Sequence, residues 1–205
     1  MVVVGAGGHA LEILDILIAQ NKTDNLVFYD EIGSELLFEG QFSILKSEED
    51  IRIHFSKDPR FILGVGNSSI RELFYHRFTN LGGKHLPIQG LGNCLSTKST
   101  CSQADIMSLC FIGPSTVIGL GTLINTAAKV HHEVTIGHFC EIAPGAILLG
   151  KVSIGNNVLI GANATILPKV KIGNNVTVGA GSVITKDVPD DVTIVGVPGI
   201  IIAVK

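Results

Sequence analysis

From Ile106 onward an aliphatic residue returns at every sixth position without a slip: Ile106, Ile112, Ile118, Ile124, Val130, Ile136, Ile142, Leu148, Ile154, Ile160, Ile166, Ile172, Val178 and Ile184. Glycine follows it at 113, 119, 137, 155, 161, 173 and 179, giving blocks such as IGPSTV, IGNNVL and VGAGSV. A period of six matches neither the 3.6 of a helix nor the plain alternation of full-length strands. It predicts a solenoid in which three short strands make one turn of 18 residues. Each sixth residue then points inward, and successive turns stack their aliphatics at the strand spacing of about 4.8 Å. The small residue four places later, as at Ala146, Ala164 and Ser182, also fits inside. Gly and Asn are expected to serve the corners, where they tolerate unusual φ.

Ahead of the repeat the pattern is different. Met1 to Val4 reads as a short apolar strand running into GAGGHA, and Leu11 to Ala19 has helical apolar spacing. NLVFYDE predicts a second strand ending in Asp30 and Glu31, and RFILGVGN (60–67) a third that runs into glycines. Ser68 to Phe78 reads as a helix, with Ser68 or Ser69 as its N-cap. All three strand ends carry loops rich in glycine or acid, and open parallel sheets bind ligands at that edge. Gly7, Gly8, His9, Asp30, Glu31, Gly66 and Asn67 are therefore the candidate ligand-binding residues of this half. The acidic pair would receive sugar hydroxyls. His9 either donates to a phosphate or hydroxyl or is a partly exposed residue of the helix start. Gly5, Gly7 and Ala10 fit the GxGxxA form of the dinucleotide fingerprint. The unit spans only about 85 residues, however, and lacks a second half to hold a dinucleotide, so a nucleotide sugar or similar small polar ligand fits better.

Composition narrows the classes. A chain of 205 residues, 46% hydrophobic, with a formal charge of -3, is a folded protein with no electrostatic footprint for nucleic acid or an anionic membrane. No run of 18 apolar residues is present, so no membrane insertion is expected. The first residues lack a basic leader, which points to the cytoplasm. Cys94, Cys101, Cys110 and Cys140 form no CxxC pair, and no metal site is expected.

The stretch NTAAKVHHEVTIG (125–137) breaks the repeat. Val130 is an inward residue, so His131 stands where other blocks carry glycine, and His132 and Glu133 take the corner. Either this is a polar corner or it is where chemistry is done. Acyl transfer creates a demand for such a group, because an attacking amine or hydroxyl must lose a proton and a neutral histidine is a suitable base. A carboxylate on its other ring nitrogen would fix the tautomer.

Together, VVGAGGHA, VFYDE, GVGNSSIR and INTAAKVHHEVTIGHFCEIAPGA resemble the hexapeptide-repeat acetyltransferases of the sialic acid O-acetyltransferase and bacterial nucleotide-aminosugar N-acetyltransferase group. The resemblance covers essentially the whole chain. It implies an α/β plus β-solenoid fold, with a small Rossmann-like domain (1–85) binding the acceptor sugar or its nucleotide. A left-handed parallel β-helix (86–205) would bind acetyl-CoA and carry catalysis. It implies His132 as the base with Glu133 as its acidic neighbour, and His131 as second choice. Relatives often place a histidine nine residues beyond the base; here Glu141 stands there, contacting donor or acceptor differently, unless His138 compensates. The coenzyme is expected near Gly150, Ala162 and Ala180, small residues spaced by 12 and 18. The resemblance further implies a homotrimer with active sites between subunits. The expected reaction is N-acetylation of a nucleotide-linked 4-amino-4,6-dideoxy sugar for bacterial surface glycans. O-acetylation of a sialic (nonulosonic) acid is the alternative, and a non-enzymatic β-helix scaffold a distant one. The final strand IIIAV should cap the last turn or lie against a neighbour.

Overall fold

The computed structural model describes residues 1–204 as two compact units, Met1–Ile88 and a second beginning at Gln89. In the first unit β1 (Val2–Val4), α1 (Gly8–Ala19), β2 (Val27–Tyr29), β3 (Leu37–Phe38), β4 (Phe42–Leu45), α2 (Glu48–Phe55), β5 (Arg60–Leu63), α3 (Ser68–Asn80) and β6 (Lys84–His85) follow in order. The sheet order is β3-β4-β2-β1-β5-β6, with only the β3–β4 pair antiparallel. Central strands this apolar need cover on both faces. On one face α2 and α3 bury Ile51, Phe55 and Phe78 against Val2, Val4, Tyr29, Phe61 and Leu63.

Three boundaries differ from the sequence reading. The first helix begins at Gly8, three residues before its apolar stripe. The third is capped by Asn67, not Ser68 or Ser69: the Asn67 side chain accepts from the Ile70 N–H at 3.1 Å. An amide oxygen one residue earlier reaches the N3 donor better than either serine, both of which lie inside the helix. The segment between β2 and β5, not assigned from periodicity, holds α2, whose Ser47–Asp50 capping box closes its first turn.

The second unit opens with β7 (Cys94–Leu95) and then carries fourteen two-residue strands, β8 (Asp105–Ile106) to β21 (Val183–Ile184), one every six residues. The second residue of each is the predicted aliphatic, and each is buried. Strands three apart pair in parallel, as in Ile124↔Ile142 and Val130↔Leu148, so the repeat closes on itself every 18 residues and forms three sheets. Ala146, Ala164 and Ser182 lie inside as expected.

Gly and Asn serve corners as expected, at Gly121, Gly145, Gly181, Asn157, Asn163 and Asn175, and other residues share the same conformation. The left-handed position is the third residue after the inward aliphatic: Ser115, Glu133, Lys151 and Lys169 at one corner, and Phe139, Asn157 and Asn175 at another. The glycine directly after the aliphatic is not in that region. It is required because turns approach closely: a Cβ on Gly161 would lie 2.5 Å from the Ala180 nitrogen, and one on Gly113 would lie 2.7 Å from the His132 nitrogen. At the C-terminus, β22 (Val192–Val195) and β23 (Ile200–Val204) form an antiparallel hairpin that extends one sheet. The hairpin turn, not the IIIAV strand, covers the last inward aliphatic: the Gly199 N–H donates to the Val183 carbonyl at 2.9 Å, and its Cα sits against Ile184. The β23 side chains stay exposed.

Candidate active site

The corner after β12 (Lys129–Val130) holds His131, His132 and Glu133. Glu133 occupies the left-handed corner position, φ +59°, which turns its side chain back beside the preceding residue. Its Oε2 lies 2.9 Å from His132 Nδ1. That hydrogen bond, with the Lys151 ammonium adding to it, holds the Glu133 carboxyl below the usual carboxylate range. An ionised carboxylate only accepts, so Nδ1 is the donor of this bond, which selects the neutral tautomer whose lone pair is on Nε2. Lys151, one turn on in the same column, places Nζ 3.5 Å from the other Glu133 oxygen. His131 is used differently. Its ring packs on Phe111, 5.6 Å between centroids, and its carbonyl accepts from the Thr116 hydroxyl.

Gly150 lies one turn beyond His132, directly beneath the imidazole. A Cβ there would come within 2.5 Å of both Cε1 and Nε2 of His132. Among the described residues the Gly150 N–H makes no backbone hydrogen bond, and its column carries Pro114 and Pro168, which have no N–H at all. The coil does not need this donor, so it is spare beside the imidazole.

The three small residues nominated from spacing do not form one surface. Ala162 and Ala180 stack at one corner, where the Gly181 N–H donates to the Ala162 carbonyl. Gly150 is two-thirds of a turn away, at the His132 corner, because 12 is not a multiple of 18. Glu141 is half-buried on β14 (Glu141–Ile142), between Leu123 and Leu159 on a face apart from that corner. His138 is spoken for: its Nδ1 accepts from the Leu120 N–H at 3.0 Å. It heads a ladder in which Asn156 accepts from the His138 N–H and Asn174 from the Asn156 N–H. Cys140 is an inward core residue rather than a wall residue; burial raises its thiol and that of Cys110 to about 11, so neither is a ready nucleophile.

In the first unit, the loops after β1, β2 and β5 converge on a cavity of about 390 Å³. Gly7, Gly8, His9, Asp30, Glu31, Gly66 and Asn67 all line it, with Ile70, Phe74 and Tyr29. Gly5 is in the glycine region, φ +119°, and a Cβ there would meet the Gly64 carbonyl at 2.8 Å. Gly7 and Gly8 are different: an added Cβ would meet nothing within 4 Å, so the room above them is open. The acidic pair is already engaged. Asp30 accepts from the Ile32 and Gly33 N–H groups, and Arg77 grips both oxygens of Glu31 at 2.8 and 2.9 Å. The Tyr29 hydroxyl donates to Glu31 at 2.8 Å. Those bonds, Arg77 first, hold Glu31 down at about 2, while burial and then Glu31 push Tyr29 up to about 12. Arg77 and the buried Arg71 are the residues that motif reading missed. Arg71, Phe74 and Phe78 lie at i, i+3 and i+7 along α3, so an arginine on the apolar stripe was the available signal.

Residues 1–78 match the PglD N-terminal domain, and residues 151–186 match the bacterial transferase hexapeptide (six repeats). The acetyltransferase domain of PglB from Neisseria gonorrhoeae is 29% identical, covers 98% of each chain and superposes with a TM-score of 0.88. PerB from Caulobacter crescentus, solved in complex with CoA and GDP-perosamine, is 25% identical over 98% of this chain and 96% of its own, with a TM-score of 0.89. WeeI from Acinetobacter baumannii, at 22% identity over 98% of each chain and a TM-score of 0.66, shares the fold.

This chain belongs to the hexapeptide-repeat acyltransferases.

The acyltransferase is accordingly a Rossmann-like unit followed by a left-handed β-helix. The hand is opposite to the usual crossover preference. Among the described residues no helix is long and apolar enough to cross a membrane, and no group of three or more His, Cys, Asp or Glu is placed to hold a metal.

Proposed function

We propose that the enzyme transfers the acetyl group of acetyl-CoA to the amino group of a nucleotide-linked 4-amino-4,6-dideoxy sugar, in the making of bacterial surface glycans. The observation that carries the reading is the His132–Glu133 pair beside an unspent Gly150 N–H. His132 Nε2 takes a proton as the sugar nitrogen attacks the thioester carbonyl carbon. The imidazolium so formed is steadied by Glu133 through Nδ1. Negative charge moves to the carbonyl oxygen, where the Gly150 N–H is the candidate donor. The intermediate collapses, the C–S bond breaks, and CoA leaves as thiolate, recovering the proton from His132. Both substrates meet in one complex, so no covalent acyl-enzyme is required. The nucleotide part of the acceptor belongs in the first unit's cavity, whose glycine floor leaves room for a ligand. Ala162 and Ala180 are assigned to the pantetheine path and Glu141 to the substrate side of its face. A cytoplasmic homotrimer with sites between subunits completes the reading. The exposed apolar β23 supports it, since such a strand needs a cover.

The test is CoA release from acetyl-CoA with UDP- and GDP-linked 4-amino-4,6-dideoxy sugars beside free sialic acid. Turnover with an aminosugar, abolished in His132→Ala, is expected. Turnover with sialic acid alone would move the enzyme to O-acetylation.

A further inference from the structure

The core of the first unit contains a charge. Arg71 is fully buried, the largest such side chain in the protein. A guanidinium withdrawn from water costs far more than an apolar side chain of the same volume. Its position on the apolar stripe of α3 could have been filled by methionine or leucine. What the guanidinium does there is specific: Nη1 donates to the Val65 carbonyl at 2.7 Å and to the Leu63 carbonyl at 3.3 Å. These are the end of β5 and the loop that walls the cavity.

Peptide geometry makes that grip consequential. The Val65–Gly66 bond is trans, so its C=O and N–H point in opposite directions. With the carbonyl held against the buried Arg71, the Gly66 N–H is turned away from it, and both Val65 and Gly66 line the cavity. Among the described residues the Gly66 N–H makes no backbone hydrogen bond. Across the cavity, α1 begins at Gly8 behind the N-cap Gly7, with no side-chain cap and no acid in its first turn. Residues with backbone donors thus border one space on two sides, Gly66 on one and the start of α1 on the other, with the Arg71 guanidinium behind the first. Asp30 and Glu31 line the same cavity, each already engaged by its own partners, so the place for a diphosphate is beside Gly66 and the start of α1 rather than along the acidic wall.

We propose that Arg71 is a positioning residue for the diphosphate of the nucleotide-sugar acceptor, presenting the Gly66 N–H by holding the Val65 carbonyl. This rests on the reading of that cavity as the nucleotide site.

The test uses the intact, ¹⁵N-labelled protein titrated with UDP and GDP, and with uridine and guanosine. The Gly66 amide is expected to shift with a diphosphate and not with its nucleoside. A Gly66 amide that stays still while a diphosphate binds would overturn the role of Arg71 and leave the cavity reading intact. Failure of the wild-type protein to bind either diphosphate would sink the cavity reading, and this proposal with it. Arg71→Lys gives the second readout, because it keeps the charge and loses the planar fork. Calorimetry should show diphosphate affinity reduced about tenfold, with nucleoside affinity within about twofold. Equal losses for both ligands would mean that Arg71 only supports packing.

Discussion

Gly150→Ala separates two roles for one residue. As a pantetheine-side residue, Gly150 should tolerate a methyl at the expense of acetyl-CoA binding alone. The structure adds a second demand at the same position, because that methyl would sit 2.5 Å from Cε1 and Nε2 of His132. Ordinary contact needs about 3.5 Å between carbons, so the imidazole must retreat by roughly 1 Å. That movement strains the 2.9 Å bond to Glu133 and displaces Nε2 from the attacking nitrogen. A 1 Å misplacement of a reacting group costs about 10²-fold in rate, or about 2.7 kcal/mol of barrier. Gly150 is outside the left-handed region, so alanine fits its backbone and the fold should survive. Steady-state kinetics by CoA release should show kcat down about a hundredfold with KM for acetyl-CoA little changed, and an unaltered circular dichroism melt. A kcat within threefold of wild type, with KM for acetyl-CoA up tenfold or more, would refute the steric argument and leave Gly150 the coenzyme role alone.

Three further outcomes follow from the same geometry. Glu133→Gln removes the charge that steadies the imidazolium while nearly preserving shape, and should lower kcat by about 10- to 100-fold; near-wild-type turnover would detach Glu133 from the chemistry. Gly7→Val should leave the melting curve alone, since nothing of the protein lies within 4 Å of its Cβ, yet raise KM for the nucleotide sugar by filling the cavity. Glu31, depressed from 4.5 to about 2, contributes stability that is present above pH 4.5 and lost as pH falls toward 2. With 42% of its side chain exposed, screening leaves about 1 kcal/mol of this. Urea denaturation at pH 5 and pH 3 should show roughly half of that loss, and Arg77→Met should flatten it.

The β-helix was legible because its constraint is local and repeated. An inward position every six residues admits only aliphatics, so Ile106 to Ile184 announce the strands, their register and the 18-residue turn at once. The loops at the ends of β1, β2 and β5 were legible for a similar reason: Gly5 and Gly64 mark close backbone approach, and the parallel order brings those loops together. Periodicity was silent between β2 and β5, where β3 and β4 are too short and α2 too polar for a pattern to emerge.

Which atoms meet was decided by stacking across turns. Spacing read with the family resemblance grouped Gly150 with Ala162 and Ala180 and offered His138 as a stand-in for a missing histidine. In three dimensions Gly150 lies under His132, and His138 is committed to a backbone ladder. Glu31 was readable as an acid at a strand end, but not that Arg77, 46 positions on, already holds it. The physical reason is range. Side-chain period and turn chemistry depend on neighbours along the chain and are written in the sequence. A hydrogen bond depends on distances of about 3 Å, and these arise only when residues 18 or 46 positions apart are folded against each other.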